Sequence, residues 1–370
     1  MAGVIDEHRR YLRDRHRVSA YERALTEVVP TNGIVIDLGS GTGVLGMLAA
    51  RAGAGRVYAI EETGMAGLAR RIVHDNRLDD VIVGVRANSG RVSLPERADV
   101  VVCDQLGPFG VDGGILDVSR HARERFLKPS GTLVPHAVEL SLALVEDASL
   151  HQRIRFWHEQ SAGLNFSAAA EIAANSPSRV RLRSDRLLSS VERATALDLT
   201  RETKLPLRLS TVLRPSRDGV LHGIGGWFIA QLSPSVSMTN SPRDAHRIRR
   251  RQMFFPIHEG TDVREGEPVA VSMQILPEAG MYSWDVEIPG NRRFQHSTMQ
   301  ALLLTLDDVK RTDPGHRPER TPEASAHLTV LSLCDGRHTL REIECRVFET
   351  HRDLFGSPEE AAAFVARVLA

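Results

Sequence analysis

From Gly33 onward the chain alternates between two hydrophobic periods. "GIVIDLG" is a short apolar run bounded by glycines, "GVLGMLAARAG" spaces its apolar residues as a helix that Gly53 ends, "RVYAIE" reads as a second strand and "MAGLARRIVHDN" as a second helix. "VIVGVRA" and "ADVVVCD" supply two more strands. Strands alternating with helices predict right-handed βαβ units and a parallel sheet covered on both faces. Ahead of them, residues 11–28 place Leu12, Val18, Tyr21, Leu25 and Val28 among charges, which predicts one N-terminal helix with an apolar stripe.

After Pro135 the period shortens. "AVELSLALVE", "PLRLSTVL", "GIGGWFIAQL", "PVAVSMQIL" and "YSWDVEI" are strand-like runs with turn residues between them, interrupted early by the helical insertion "HQRIRFWHEQSAGL". They predict an antiparallel β-barrel. A charged, proline-bearing stretch then reads as a linker, and three amphipathic helices close the chain. The expected architecture is α/β: a helical segment at 1–30, a Rossmann-like domain at 31–135, a barrel at 136–305, a linker at 306–322 and a small winged-helix-like domain at 323–370.

Composition narrows the partners. The 370 residues are 42% apolar and 25% charged with a formal net charge of zero, which excludes a generally basic nucleic-acid binder and makes any charged patch local. Cys103, Cys334 and Cys345 are odd in number and lack a CxxC pair, so neither a disulfide framework nor a zinc site is indicated. The charged N-terminus does not read as a signal peptide, and no apolar run approaches the roughly 18 residues of a membrane span. A cytoplasmic location with no membrane partner is the expectation.

The chemistry concentrates at "VIDLGSGTGVLG", where Asp37, Gly39, Gly41 and Gly43 fall at the first strand-to-helix turn. Glycines there permit positive φ and let backbone amides approach a ligand. Gly41–Gly46 also matches the GxGxxG of dehydrogenases, but nothing after residue 135 reads as a domain for hydride transfer. The acid two residues before the first glycine makes the loop resemble the D-x-G-x-G-x-G turn of S-adenosylmethionine (SAM) methyltransferases. Glu61, closing the next strand, is placed to accept both ribose hydroxyls. The competing structural roles are a turn cap for Asp37 and a helix cap for Glu61.

Longer segments carry a more specific resemblance. "LRDRHRVSAYERAL", "IDLGSGTGVLGMLAARAGAGRVYAIEE", "SLPERADVVVCDQLGPFG", "FLKPSGTLVP", "RFWHEQSAGLNFS", "GWFIAQLS" and "REGEPVAVSMQI" resemble, in order, the protein arginine methyltransferase family from about residue 10 to residue 300. That resemblance implies a peptide or protein substrate, SAM as cofactor, and a homodimer through an arm at 151–166. It implies that Arg17 pairs with the SAM carboxylate, that Gly39 and Gly41 line the cofactor, and that Glu61 takes the ribose. It departs at the acceptor. The family's two substrate-holding glutamates become Asp104 and Gly113, with Asp112 one place early, and its Thr-His-Trp segment becomes Ile248, Arg249 and Arg250, with His246 just before. The adenine-binding acid falls on Gly90, leaving Asn88 and Ser89 as substitutes, and the helix that closes over SAM would fall before residue 1.

Asp104, Asp112 and His246 are therefore the candidate catalytic residues. A guanidinium is a rigid cationic fork best aligned by two carboxylates, whereas a carboxylate acceptor is nucleophilic at neutral pH and wants cations nearby. The run "RDAHRIRRRQ" supplies such cations. Arginine nitrogen, which the resemblance implies, or a side-chain carboxylate or other oxygen is the expected methylated atom, and a catalytically eroded protein kept as a peptide-binding partner is the alternative. At the C-terminus, Leu331, Leu333, Asp335, Gly336, Thr339, Leu340 and Ile343 resemble PqqD-like modules, which grip the leader of a ribosomally made natural-product precursor. A helical tail docking on the barrel is the competing reading there. Gly336 is expected to end one helix and Thr339 with Glu342 to cap the next.

Overall fold

A computed structural model describes residues 2–159, 161–290 and 292–369. The chain forms two compact units, Met1–Leu302 and Leu303–Ala370. The first begins with α1 (Ala2–Arg13) and α2 (Arg15–Val28). The single helix expected over 11–28 is broken at Asp14, whose backbone leaves the helical region (φ −84°, ψ 86°) so that its buried carboxylate can accept the Arg17 amide. On α2, Ala20, Tyr21, Ala24 and Leu25 share one buried face against the domain that follows.

That domain contains β1 (Ile34–Leu38), α3 (Val44–Arg51), β2 (Arg56–Ile60), α4 (Met65–Asp75), β3 (Ile82–Val85), β4 (Ala98–Cys103), α5 (Ile115–His121) and β5 (Leu127–Val134). The strands pair in the order β3-β2-β1-β4-β5, all parallel. Strands buried on both faces explain the continuous Val and Ile runs. The order reverses between β1 and β4, and a crevice opens beyond the carboxyl ends of those two strands. The site lies there.

The expected barrel is replaced by two antiparallel sheets. Following β6 (Ala137–Val145), α6 (Ala148–Arg155), α7 (Ala168–Ala174), β7 (Ser178–Val180), β8 (Glu192–Asp198) and β9 (Leu207–Leu213), the chain adds β10 (Gly219–Gln231), β11 (Ser237–Thr239), β12 (Gln252–Val263), β13 (Val269–Leu276), β14 (Met281–Ile288) and β15 (Arg292–Ser297). One sheet runs β7-β12-β10-β6-β8 with β11 on β10, the other β15-β14-β13-β9, and among the described residues no ladder joins them into a closed barrel. Strand β12 carries Pro256 in mid-run, which hid it from the alternation pattern. The proline sits opposite Gly223 at an irregularity in the ladder, where its missing N–H is tolerated, and its carbonyl accepts Trp284 Nε1 at 2.7 Å.

The second unit holds α8 (Leu306–Arg311), α9 (Pro322–Leu333), α10 (Leu340–Thr350) and α11 (Pro358–Leu369). Gly336 adopts a left-handed φ of 78° after α9, and Thr339 and Glu342 form the expected capping box on α10. Ala326, Val330, Ile343, Val347, Phe364 and Val365 make its core. The wing of a winged helix is not found: no strand lies between 303 and 369 among the described residues.

Candidate functional site: two clefts meeting at Gln105

The turn after β1 passes through Gly39, Gly41 and Gly43, with φ of 70°, 55° and 79°, a region that strains any residue with a Cβ. Because Gly43 stands at the N-cap of α3 without a side chain, Asp37 caps that helix from the strand, its Oδ2 accepting the Gly46 amide at 2.8 Å. Asp37 is fully buried, and burial pushes its carboxyl up to about 7. Its Oδ1 and the Ser40 hydroxyl are buried without a partner.

At the end of β2, Glu61 accepts the Gly41 amide at 3.0 Å through Oε2, and the amide and hydroxyl of Thr63 through Oε1. A cleft of about 510 Å³ opens here, lined among others by Gly39, Glu61, Asn88, Ser89, Gln105 and His121. Ser89 Oγ pairs with His121 Nδ1 at 3.1 Å, and Asn88 Oδ1 accepts the Gly90 amide. Asp37, Gly41 and Gly43 are not among its lining residues. Gly41 lies beneath α1, where a Cβ would come within 2.5 Å of the His8 ring. Helix α1 thus shields the glycine turn.

Beyond Gln105, whose side chain borders both, lies a second cleft of about 750 Å³. Its floor is the loop after β4. Phe109 anchors that loop: it is fully buried against β10 at Gly226 and meets Phe255 edge to face at 5.5 Å. Asn240 Nδ2 donates to Pro108 O at 2.7 Å. The loop closes so tightly that a Cβ on Gly113 would stand 2.5 Å from Gln105 O and 2.7 Å from the Gly107 amide nitrogen. No side chain fits there. Asp112 folds inward, its Oδ1 accepting the Phe109 amide at 2.8 Å, and burial pushes its carboxyl up.

The Asp104 carboxylate, 6% exposed, sits between two arginines. Arg17 Nε donates to its Oδ2 at 2.5 Å and Arg250 Nη2 to the same oxygen at 3.1 Å, while Arg250 Nη1 also donates to Leu106 O at 2.6 Å. Burial alone would raise the carboxyl's pKa, but the two guanidiniums outweigh it and hold Asp104 below the usual carboxylate range. The Tyr11 ring covers both cations, 5.0 Å from Arg17 and 5.7 Å from Arg250. Arg17 Nη1 is buried and unpartnered.

His246 does not join Asp104. Ile248 is buried and its amide donates to Thr239 O, while His246's own amide is held by Asp244, and this turns the imidazole toward His16 at 5.5 Å in a separate hollow of about 330 Å³. Two residues at the site escaped the sequence reading. Gln105 carries no pattern that marks it, and Tyr11 offers only its spacing to Glu7, whose Oε1 accepts its hydroxyl at 2.8 Å.

A 3-2-1-4-5 parallel sheet, a glycine turn capped by an acid from its own strand and a second acid ending β2 define a class I methyltransferase fold. Residues 136–289 match the arginine methyltransferase oligomerization subdomain, and residues 20–112 match the ribosomal protein L11 methyltransferase family. An arginine N(omega)-methyltransferase of Streptomyces achromogenes subsp. streptozoticus is 30% identical over 72% of this chain and 75% of its own. Protein arginine N-methyltransferase 1 of Chlamydomonas reinhardtii is 28% identical over 74% and 81%. Among solved structures, the Trypanosoma brucei PRMT1 enzyme–prozyme complex with AdoHcy superposes with a TM-score of 0.74 at 22% identity, covering 78% of this chain and 96% of that one. The chain belongs to the arginine methyltransferase family and is an enzyme of the SAM-dependent methyltransferase class.

Proposed function

We propose that this protein transfers the methyl group of SAM to a side chain of a peptide or protein that enters the cleft over residues 104–113. The observation that carries this reading is the meeting of two clefts at Gln105, with Arg17, on the wall of the second, left with an unpartnered Nη1. A buried polar atom without a partner is costly, and the zwitterionic end of a bound amino acid would satisfy such groups. Arg17 would take the SAM carboxylate through Nη1 while its Nε stays on Asp104. Gly39 would allow close approach, Glu61 would take the ribose, and Asn88 and Ser89 would border the base. SAM supplies an electrophilic methyl group, so the protein's task is alignment.

The exposed Phe156, Leu164 and Phe166 support a homodimer through the 151–166 arm. Exposed Leu328, Leu331 and Leu340 on the C-terminal unit support a PqqD-like grip on a precursor's leader. Tethering would raise the attached core to an effective ~mM concentration. A second reading, a silent peptide-binding partner, is favoured by one observation: Asp104's oxygens are already taken by the chain's own arginines. Calorimetry with SAM, and incubation of methyl-labelled SAM with the peptide encoded beside the gene, test both. Binding with incorporation supports the methyltransferase, binding without turnover on any peptide supports the silent partner, and absence of both overturns the proposal.

A further inference from the structure

We infer that the acceptor cleft is built for an anionic group, and that Arg250 is its specificity-determining residue because it fills, from within the chain, the place beside Asp104 that a substrate guanidinium would take. This rests on the methyltransferase reading above and adds the substrate class.

The first argument is occupancy. Arg250 reaches Asp104 with both ends of its fork, Nη1 and Nη2 lying 3.3 and 3.4 Å from Oδ1 and Nη2 3.1 Å from Oδ2. Its side chain is only 10% exposed, fastened also by Leu106 O and covered by Tyr11. An entering guanidinium would have to displace it and leave a buried cation without its counter-charge. A second carboxylate to share the load cannot be seated at Gly113, where backbone fills the Cβ position.

Charge is the second argument. Eight arginines and four carboxylates line the cleft, and every one of the four is already engaged. Glu7 accepts from Tyr11, Asp14 from the amides of Arg17 and Arg249, Asp112 from the Phe109 amide, and Asp104 from two arginines. Arg10, Arg13, Arg179, Arg181, Arg249 and Arg251 are exposed and form no ion pair among the described residues. A cation therefore meets a repulsive field and carboxylates that already accept hydrogen bonds within the chain, while an anion meets steering attraction and open guanidinium forks.

Chemistry is the third. Methylating a guanidinium nitrogen releases a proton, which needs an acceptor, and the carboxylates of the cleft already accept hydrogen bonds from the chain itself. A carboxylate is already ionised at neutral pH. Its oxygen bonds the methyl carbon as the carbon–sulfur bond breaks, the bonding pair stays on the sulfur of the sulfonium donor, a neutral thioether leaves, and no proton has to be removed. The substrate class is an acidic peptide segment presenting a carboxylate.

The test uses the full-length protein with and without S-adenosylhomocysteine, titrated with two fluorescent peptides that differ only in exchanging central glutamates for arginines. Anisotropy should show the acidic peptide binding about ten-fold tighter at low salt, with the contrast shrinking as salt rises. Arg250→Gln should narrow the contrast by admitting the arginine peptide. Because that variant removes a buried cation, a rim variant, Arg179→Gln with Arg251→Gln, provides a fold-neutral check and should weaken the acidic peptide several-fold. With labelled SAM, label released by mild base as methanol supports a methyl ester. Equal or tighter binding of the arginine peptide, an unchanged contrast in the rim variant, or base-stable label on arginine overturns the inference. Failure to bind S-adenosylhomocysteine overturns the methyltransferase reading instead, and the peptide contrast without cofactor still decides the charge preference.

Discussion

Asp104 balances two buried cations, so its charge matters more than its shape. Asp104→Asn keeps the volume but leaves Arg17 and Arg250 without a counter-ion, and removal of one member of such a buried network costs about 3–5 kcal/mol. Denaturant unfolding monitored by circular dichroism should show that loss. Glu61→Ala should lower SAM affinity as well as loosen the Gly41 and Thr63 amides it holds: losing a charged acceptor for two hydroxyls is worth about 1.5–3 kcal/mol, or roughly 10–100-fold in SAM affinity by calorimetry. An unchanged affinity would remove Glu61 from the cofactor site. Glu61 was legible in the sequence because it closes an apolar strand, and Asp104 because the family resemblance aligns it with a substrate-holding glutamate. Asp104's partner Arg250 was not, since 146 residues separate them and only the packing of the second domain on the first brings them together.

At the level of elements, the loop between β4 and α5 shows how a family position can be closed to its family residue. Gly113→Glu would restore a carboxylate in sequence but must push apart Gln105 O and the Gly107 amide. The expected outcome is a lower unfolding midpoint and no gain of arginine methylation by mass spectrometry. Strand β15 carries another buried liability in His296, which stacks on Trp284 at 5.3 Å with both ring nitrogens unpartnered. Burial, helped by nearby His258, lowers its pKa from 6.5 to about 4. As pH falls from 6.5 toward 4 the unfolded chain takes up a proton that the folded ring refuses, so stability present above 6.5 is lost, by about 3 kcal/mol in all. His296→Phe should flatten that part of the stability–pH curve. Strand β12 and the break at Asp14 were illegible for a local reason: a proline and a buried capping acid each look like the opposite of what tertiary contacts make of them.

For the whole molecule, the exposed apolar arm makes association testable. Phe156 is 49% exposed on one copy, and Phe156→Asp should shift sedimentation from dimer toward monomer without lowering the unfolding midpoint. A wild-type protein that sediments as a monomer would refute the dimer.

The alternation of strands and helices from β1 to β4, the glycine turn with Asp37, the acid at 61, and the caps of the C-terminal helices were determined by sequence alone, because each is a local matter of period, φ and side-chain reach. Tertiary structure alone decided that the sheets do not close as a barrel, that His246 faces away from Asp104, that Gly113 has no room for a side chain, and that Arg250 pairs with Asp104. Those outcomes depend on which distant surfaces meet and which charges are buried together, and residue spacing along a chain carries no record of that.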